Sequence, residues 1–145
     1  MLGGGTGQED VLRRSGYSAA RLEITKVQVI DNLHRNGLTI ERIAQTNGMS
    51  IRQAQRLFAE SGQTFSEFVL DQRLSTARHL LMAASNRHRK ISDIAYESGF
   101  SDLSYFNRTF KRRYGATPSD IQAGDIAPGS RAGSESAASL KSISR

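Results

Sequence analysis

The chain of 145 residues has no cysteine and no tryptophan, two prolines, and three widely separated histidines, His34, His79 and His88. Without cysteine there is no disulfide frame, no thiolate nucleophile and no Cys-type zinc site. The histidines are too irregularly spaced for a helical metal pair, and His88 stands among Arg87, Arg89 and Lys90, where a second cation is repelled. They read as solvated or helix-end histidines, and neither a metal nor a cofactor is expected. No apolar run approaches the roughly 18 residues needed to cross a bilayer, and the amino terminus lacks the apolar core of a signal peptide. A cytoplasmic protein with no membrane partner is expected. Gly3-Gly4-Gly5-Thr6-Gly7 has no apolar strand before it and no Gly-Lys-Ser/Thr after it, which removes a phosphate loop. No Gly-x-Ser-x-Gly elbow, carboxylate pair or nucleophile–base set stands at a meaningful spacing, so no catalysis is expected.

What the chain does have is positive charge. Its 20 Lys+Arg exceed its 14 Asp+Glu, giving a net charge of +6 and a pI near 10.2. Such an excess favours a polyanionic partner without identifying one. Composition divides the sequence into three. Residues 1–20 carry five glycines and residues 124–145 are 13 of 22 Gly, Ser or Ala. Neither stretch can bury enough surface to offset its ordering entropy. A flexible segment is therefore expected over 1–21, a folded domain over 22–123 and a disordered tail over 124–145. The interior from 21 to 123 holds 15 basic and 10 acidic residues, so the charge belongs to the folded part.

Apolar spacing in that part is helical throughout. Val27, Ile30 and Leu33 form one stripe, Ile40, Ile43 and Ala44 a second, Phe65, Phe68, Val69, Ala77, Leu80 and Leu81 a third, and Ile91, Ile94 and Ala95 a fourth. Ser50 with Gln53, Thr64 with Glu67 and Thr117 with Asp120 are spaced as capping boxes, and Pro118 suits a first helical position. An all-α fold follows, with seven helices near 22–35, 40–47, 51–60, 65–84, 91–98, 102–113 and 118–123. The uninterrupted helix over 65–84 would span about 30 Å, close to the roughly 34 Å turn of B-DNA, as a stiff spacer would.

One unit occurs twice. Ile43-Ala44 and Gly48-Met49-Ser50 correspond to Ile94-Ala95 and Gly99-Phe100-Ser101 at an offset of 51. Arg56-Leu57-Phe58 then matches Arg108-Thr109-Phe110 at 52, and Gly62-Gln63-Thr64 matches Gly115-Ala116-Thr117 at 53. A small Ala44 or Ala95 lets two helices approach, Gly48 or Gly99 can end the first helix with positive φ, and Ser50 or Ser101 can cap the second. That is a helix-turn-helix arrangement, at about 40–60 and 91–113. A plain helical corner uses the same Ala and Gly for packing alone, but two copies on a basic domain argue against it.

The outer faces of the second helices carry long polar side chains. In 51–60, Ala54, Leu57 and Phe58 can face the core, leaving Arg52, Gln53, Gln55 and Arg56 outside. Arg can bond guanine O6 and N7, and Gln adenine N6 and N7, in bidentate geometry. In 102–113, Phe106 and Phe110 can face the core, with Asp102, Ser104, Asn107 and Arg108 as the corresponding groove candidates. Thr39, Ser50, Lys111 and Arg112 are the candidates for DNA phosphates. Arg73, on the connecting helix, is expected to be structural.

From Ile91 to Pro118, the order Ile94-Ala95, Gly99-Phe100-Ser101-Asp102, Tyr105-Phe106, Arg108, Phe110-Lys111, Gly115, Pro118 resembles the signature of the AraC/XylS transcription regulators. Gly48, Ser50, Arg56, Phe58, Gly62, Arg73, Leu74, Ala77, Leu80 and Leu81 extend the resemblance over about 22–122. It implies a seven-helix domain with two helix-turn-helix units joined by a long helix, reading two adjacent major-groove segments of double-stranded DNA with 51–60 and 102–113. It also implies RNA polymerase as a protein partner, with activation expected over repression. Ala54 stands where the family usually has Leu, Ile121-Gln122 replaces a common Tyr-Arg, and the connection from Met82 to Lys90 is longer than in many members. The 21 residues before Leu22 are too few for the effector-binding or dimerisation domain that many members carry, and none is expected in this chain. The alternative is a helical protein-interaction module on the same scaffold that has lost specific DNA binding.

Overall fold

The computed structural model describes residues 2–124, with side chains from Asp10 onward, and the expected tail beyond Gly124 lies outside them. The described residues form seven α-helices: α1 (Leu2–Asp31), α2 (Ile40–Thr46), α3 (Ile51–Ala59), α4 (Phe65–Met82), α5 (Ile91–Glu97), α6 (Leu103–Tyr114) and α7 (Pro118–Ala123). The chain divides between Val69 and Leu70 into two compact units. Helix α4 runs through the division and gives each unit part of its core. Val29, Leu33, Ile43, Phe58, Phe68 and Val69 form the first core, where the Phe58 ring meets Phe65 edge-on at 5.5 Å and Phe68 at 5.7 Å. In the second, Phe100, Phe106, Phe110 and Tyr114 make a chain of rings 4.8–5.4 Å apart, packed with Leu74, Ala77, Leu81, Ile94 and Ile121.

Three helix starts follow the expected chemistry. Ser50 and Thr117 complete capping boxes with Gln53 and Asp120. At the start of α4 the Thr64 N–H donates to Glu67 Oε2 at 2.8 Å while the Glu67 N–H donates to Thr64 Oγ1 at 3.1 Å. The Thr64 backbone bond, and then its side chain, hold the Glu67 carboxyl below its usual pKa. This cap therefore contributes stability above the ordinary carboxylate range and loses it as pH falls through the lowered value.

Three features differ from the sequence reading. Helix α1 begins at Leu2 and ends at Asp31, where composition suggests a flexible segment followed by a helix over 22–35. Leu12, Arg13, Arg14, Ala19 and Ala20 favour helix, and the Arg21 guanidinium, over the Tyr17 ring at 5.6 Å, bonds the Asn47 carbonyl at 3.2 Å. Secondly, the inward side of α1 is Leu22, Thr25 and Val29; of the expected stripe only Leu33, past the helix end, is buried, while Val27 and Ile30 stay 55% and 45% exposed. Thr25 can be buried because its hydroxyl donates to the Arg21 carbonyl at 2.7 Å. Lastly, α4 has 18 residues and stops at Met82, about 27 Å long. Ala83 turns extended (φ −69°, ψ 126°) and a single 3₁₀ turn, Ala84–Asn86, follows.

That turn belongs to the long connection ahead of α5. Gln122, on α7, donates through Nε2 to the Asn86 carbonyl at 3.0 Å and to the Arg89 carbonyl at 2.8 Å. The unusual connection and the unusual Gln122 thus satisfy each other, while neighbouring Ile121 fills the core at 5% exposure. Replacing Gln122 by Ala should cost about 0.5–1.5 kcal/mol in urea-unfolding free energy, with exposed Ser119→Ala within about 0.5 kcal/mol of the parent. Equal stability of Gln122→Ala and the parent would mean that the connection is held some other way.

Candidate nucleic-acid interface

The two copies of the repeat are built by the same backbone hydrogen bonds. In the first unit the N–H groups of Asn47, Gly48 and Met49 donate to the carbonyls of Ile43 (3.1 Å), Gln45 (3.2 Å) and Ala44 (2.9 Å). In the second, Ser98, Gly99 and Phe100 donate to Ile94 (3.0 Å), Tyr96 (3.0 Å) and Ala95 (3.0 Å). Gly48 and Gly99 take φ of +63° and +104°, a region that residues with a Cβ rarely adopt. Ala44 and Ala95 lie under these turns at 2% and 0% exposure. Even the side chains agree, since Asn47 Nδ2 and Ser98 Oγ both bond the carbonyl four residues back, at 2.7 and 2.8 Å.

The copies part at the next residue. Ser50 caps α3, but the cap of α6 is Asp102, whose Oδ1 accepts from the Tyr105 N–H at 3.0 Å. Ser101, suggested by the repeat, is one residue too early. Here the offset grows from 51 to 52, so the single inserted residue lies between the turn and the second helix.

On α3, Ala54, Leu57 and Phe58 are buried while Arg52, Gln53, Gln55 and Arg56 are exposed, as the spacing suggests. Gln53 is nonetheless constrained, because its Oε1 accepts the Ser50 N–H at 2.8 Å. Bidentate reading of adenine needs both the oxygen and the nitrogen of the carboxamide, and the cap takes one of the two lone pairs of the Gln53 oxygen, leaving the other and the amide nitrogen. Asp102 Oδ1 is likewise taken up by a helix start, which leaves Oδ2 as an acceptor toward a base edge such as cytosine N4. Thr39 and Ser50 differ: each accepts a backbone N–H, from Arg42 at 3.3 Å and Gln53 at 3.1 Å, and keeps its own O–H for another acceptor.

On α6, Ser104, Asn107, Arg108, Lys111 and Arg112 are exposed opposite the buried Phe106, Thr109 and Phe110. Asn107, Arg108, Lys111 and Arg112 share one open groove of about 710 Å³, lined also by Thr117, Pro118 and Ser119. The residues assigned to bases and those assigned to phosphates thus border the same space. Arg113, last of the basic run, points elsewhere: it lies 3.7 Å from the Asp71 carboxylate and over the Tyr114 ring at 5.2 Å. Burial raises the Tyr114 pKa, against the lowering pull of Arg113 and Arg78. Arg73 is half-buried on α4, and burial lowers its pKa while Tyr105 counters, which fits a structural part. Sequence reasoning passed over two features near α3. Ile51, 42% exposed at its start, is an apolar neighbour for Gln55, and α1 brings Arg14, Tyr17 and Arg21 alongside α3.

Among the described residues, no helix is long and apolar enough to cross a membrane and no cluster of three potential ligands could hold a metal ion.

Comparison with known proteins points to one kind of molecule. A family model described as a helix-turn-helix domain matches residues 32–124. The transcriptional activator RhrA of Rhizobium meliloti (strain 1021) is 43% identical over 102 residues, covering 70% of this chain and 32% of the relative. The transcriptional activator NphR of a Rhodococcus species is 33% identical over 113 residues, covering 76% and 33%. This chain therefore spans about a third of the length of these curated relatives. The crystal structure of a transcriptional regulator from Chromobacterium violaceum, described as an AraC-type DNA-binding-domain protein, is similar with a TM-score of 0.68 and 30% identity, over 79% of this chain and 99% of that one.

The division of labour within the basic run can be checked by stability alone. Arg113→Ala should lower unfolding free energy by up to about 1 kcal/mol, the range of a half-exposed ion pair. Arg112→Ala should leave it within about 0.5 kcal/mol. Thermal melts in which Arg112→Ala is the more damaging would reverse the assignment.

Proposed function

Because the chain belongs to the AraC-type helix-turn-helix family, we propose that it binds double-stranded DNA sequence-specifically as a transcription regulator, with α3 and α6 as the two groove-entering helices. The observation that carries this reading is the repeated turn: two units with the same hydrogen bonds each present a helix whose outer face is long, polar and basic. On α3, Arg52, Gln55 and Arg56 take the base edges, with Ile51 placed to meet a thymine methyl. On α6, Ser104, Asn107 and Arg108 do the same, while Lys111 and Arg112, with Thr39 and Ser50 in the first unit, hold phosphates. Gln53 and Asp102, each tied into a helix start through one oxygen, turn their remaining polar atoms to the same groove faces. Activation is favoured over repression by the names of the relatives, both called transcriptional activators, and RNA polymerase is the corresponding protein partner.

The physics of phosphate binding supplies the first test. Each neutralised phosphate adds about −0.9 to the slope of log K against log salt, so several basic contacts imply a slope of about −3 or steeper. Fluorescence anisotropy with a duplex selected by the protein from a random pool measures it. A flat line would favour a protein-interaction module on this scaffold. Base and phosphate roles then separate by substitution. Gln55→Ala or Arg56→Ala should weaken the selected site by about 1–3 kcal/mol and relax preference at one or two base pairs. Lys111→Ala should weaken all sequences alike. If both α3 variants select the same motif as the parent, α3 is not the reader.

A further inference from the structure

The stretch of α1 from Arg14 to Arg21 runs beside α3. Tyr17 and Arg21 line a groove of about 180 Å³ with Met49, Gln53 and Arg56. Arg14 and Ser18 line another, of about 610 Å³, with Arg56 and Glu60. The two helices therefore run in opposite directions, with Arg56 facing both grooves. Arg14, Tyr17, Ser18 and Arg21 recur at three- and four-residue steps, so they share one side of α1. Arg21 is held in place by the Asn47 carbonyl and stacks on Tyr17, which is 64% exposed. Glu60 is the one acidic side chain that lines either groove.

Building on the DNA-binding reading, we propose that this side of α1 is part of the DNA-contacting surface, with Arg14, Tyr17 and Arg21 bearing on the phosphate strand that borders the groove entered by α3. Dimensions limit where α1 can lie. A helix with its side chains is about 10–12 Å across and fills a major groove about 12 Å wide. A second helix packed alongside, at the usual 8–10 Å, cannot enter that groove and comes to lie over its wall. The wall is phosphate. Guanidinium groups and a phenolic O–H suit it, and they carry no sequence information.

Arg13 supplies the control, since it sits one residue away on the side turned from α3, 75% exposed and 3.9 Å from Asp10. The full chain, its Arg14→Gln variant and its Arg13→Gln variant are titrated by fluorescence anisotropy with the selected duplex and with an unrelated one, across a salt series, after circular dichroism has checked that helix content is unchanged. Glutamine suits a helix, so folding should survive both changes. Arg14→Gln should reduce the steepness of the slope by about 0.9 and weaken both duplexes by the same factor, about eightfold at 0.1 M salt, while Arg13→Gln matches the parent. Unchanged slope in Arg14→Gln, or equal losses in both variants, overturns the proposal while leaving α3 as the reader. A parent chain that binds neither duplex in a salt-dependent way removes the DNA reading itself and this proposal with it.

Discussion

In each unit the backbone reverses over a small buried residue, and the rest of the unit depends on how tightly it does so. The Met49 N–H reaches the Ala44 carbonyl at 2.9 Å and the Phe100 N–H reaches Ala95 at 3.0 Å, each with a positive-φ glycine one residue earlier. This leaves almost no slack between the two helices of the pair. A larger side chain at Ala44 or Ala95 would push them apart, and a residue with a Cβ at the glycine would strain the reversal by about 1–2 kcal/mol. With the angle set there, the second helix has one buried side and one free side. The aromatic residues Phe58, Phe106 and Phe110 then lock the rotation about its axis, and the polar face follows without further specification.

A second constraint acts on the polar residues themselves. Helix starts need acceptors for backbone N–H groups, and this chain recruits Ser50 with Gln53, Asp102, and Thr117 with Asp120. A side chain engaged that way is exposed and yet not at liberty. Exposure alone would place Gln53 and Gln55 in one class, although only Gln55 has both ends of its carboxamide outside the capping box. The same distinction separates Arg112, facing the open groove of α6, from Arg113, held against Asp71 and Tyr114.

Much of this was legible in the sequence because it is local. The Ala-to-Gly spacing, the three capping boxes and the exposed faces of α3 and α6 depend on residues within one or two turns of each other. Features decided by distant partners were not legible. Helix α1 has two apolar stripes of similar strength, and the choice of Leu22, Thr25 and Val29 over Val27 and Ile30 is made by the residues they meet. Arg113 looks like its basic neighbours until Asp71, far upstream, is placed beside it. Ser101 and Asp102 are both competent caps, and the drift of the repeat offset was the one sign that the later residue serves. The helical start of α1 was hidden by its glycines, which lower helix propensity without forbidding a helix.

The central claim is that α3 and α6 are the helices that enter the grooves of the nucleic acid, other segments reaching no further than its phosphate walls. The most direct measurement is a solution NMR titration of the isotopically labelled chain with a short duplex that it selects. Amide and side-chain shifts should concentrate on α3 and α6, with the Gln55 and Asn107 carboxamides and the Arg56 and Arg108 guanidinium signals among those that move. Shifts centred instead on the exposed face of α5 around Tyr96, or spread evenly with no focus on either helix, would contradict the account.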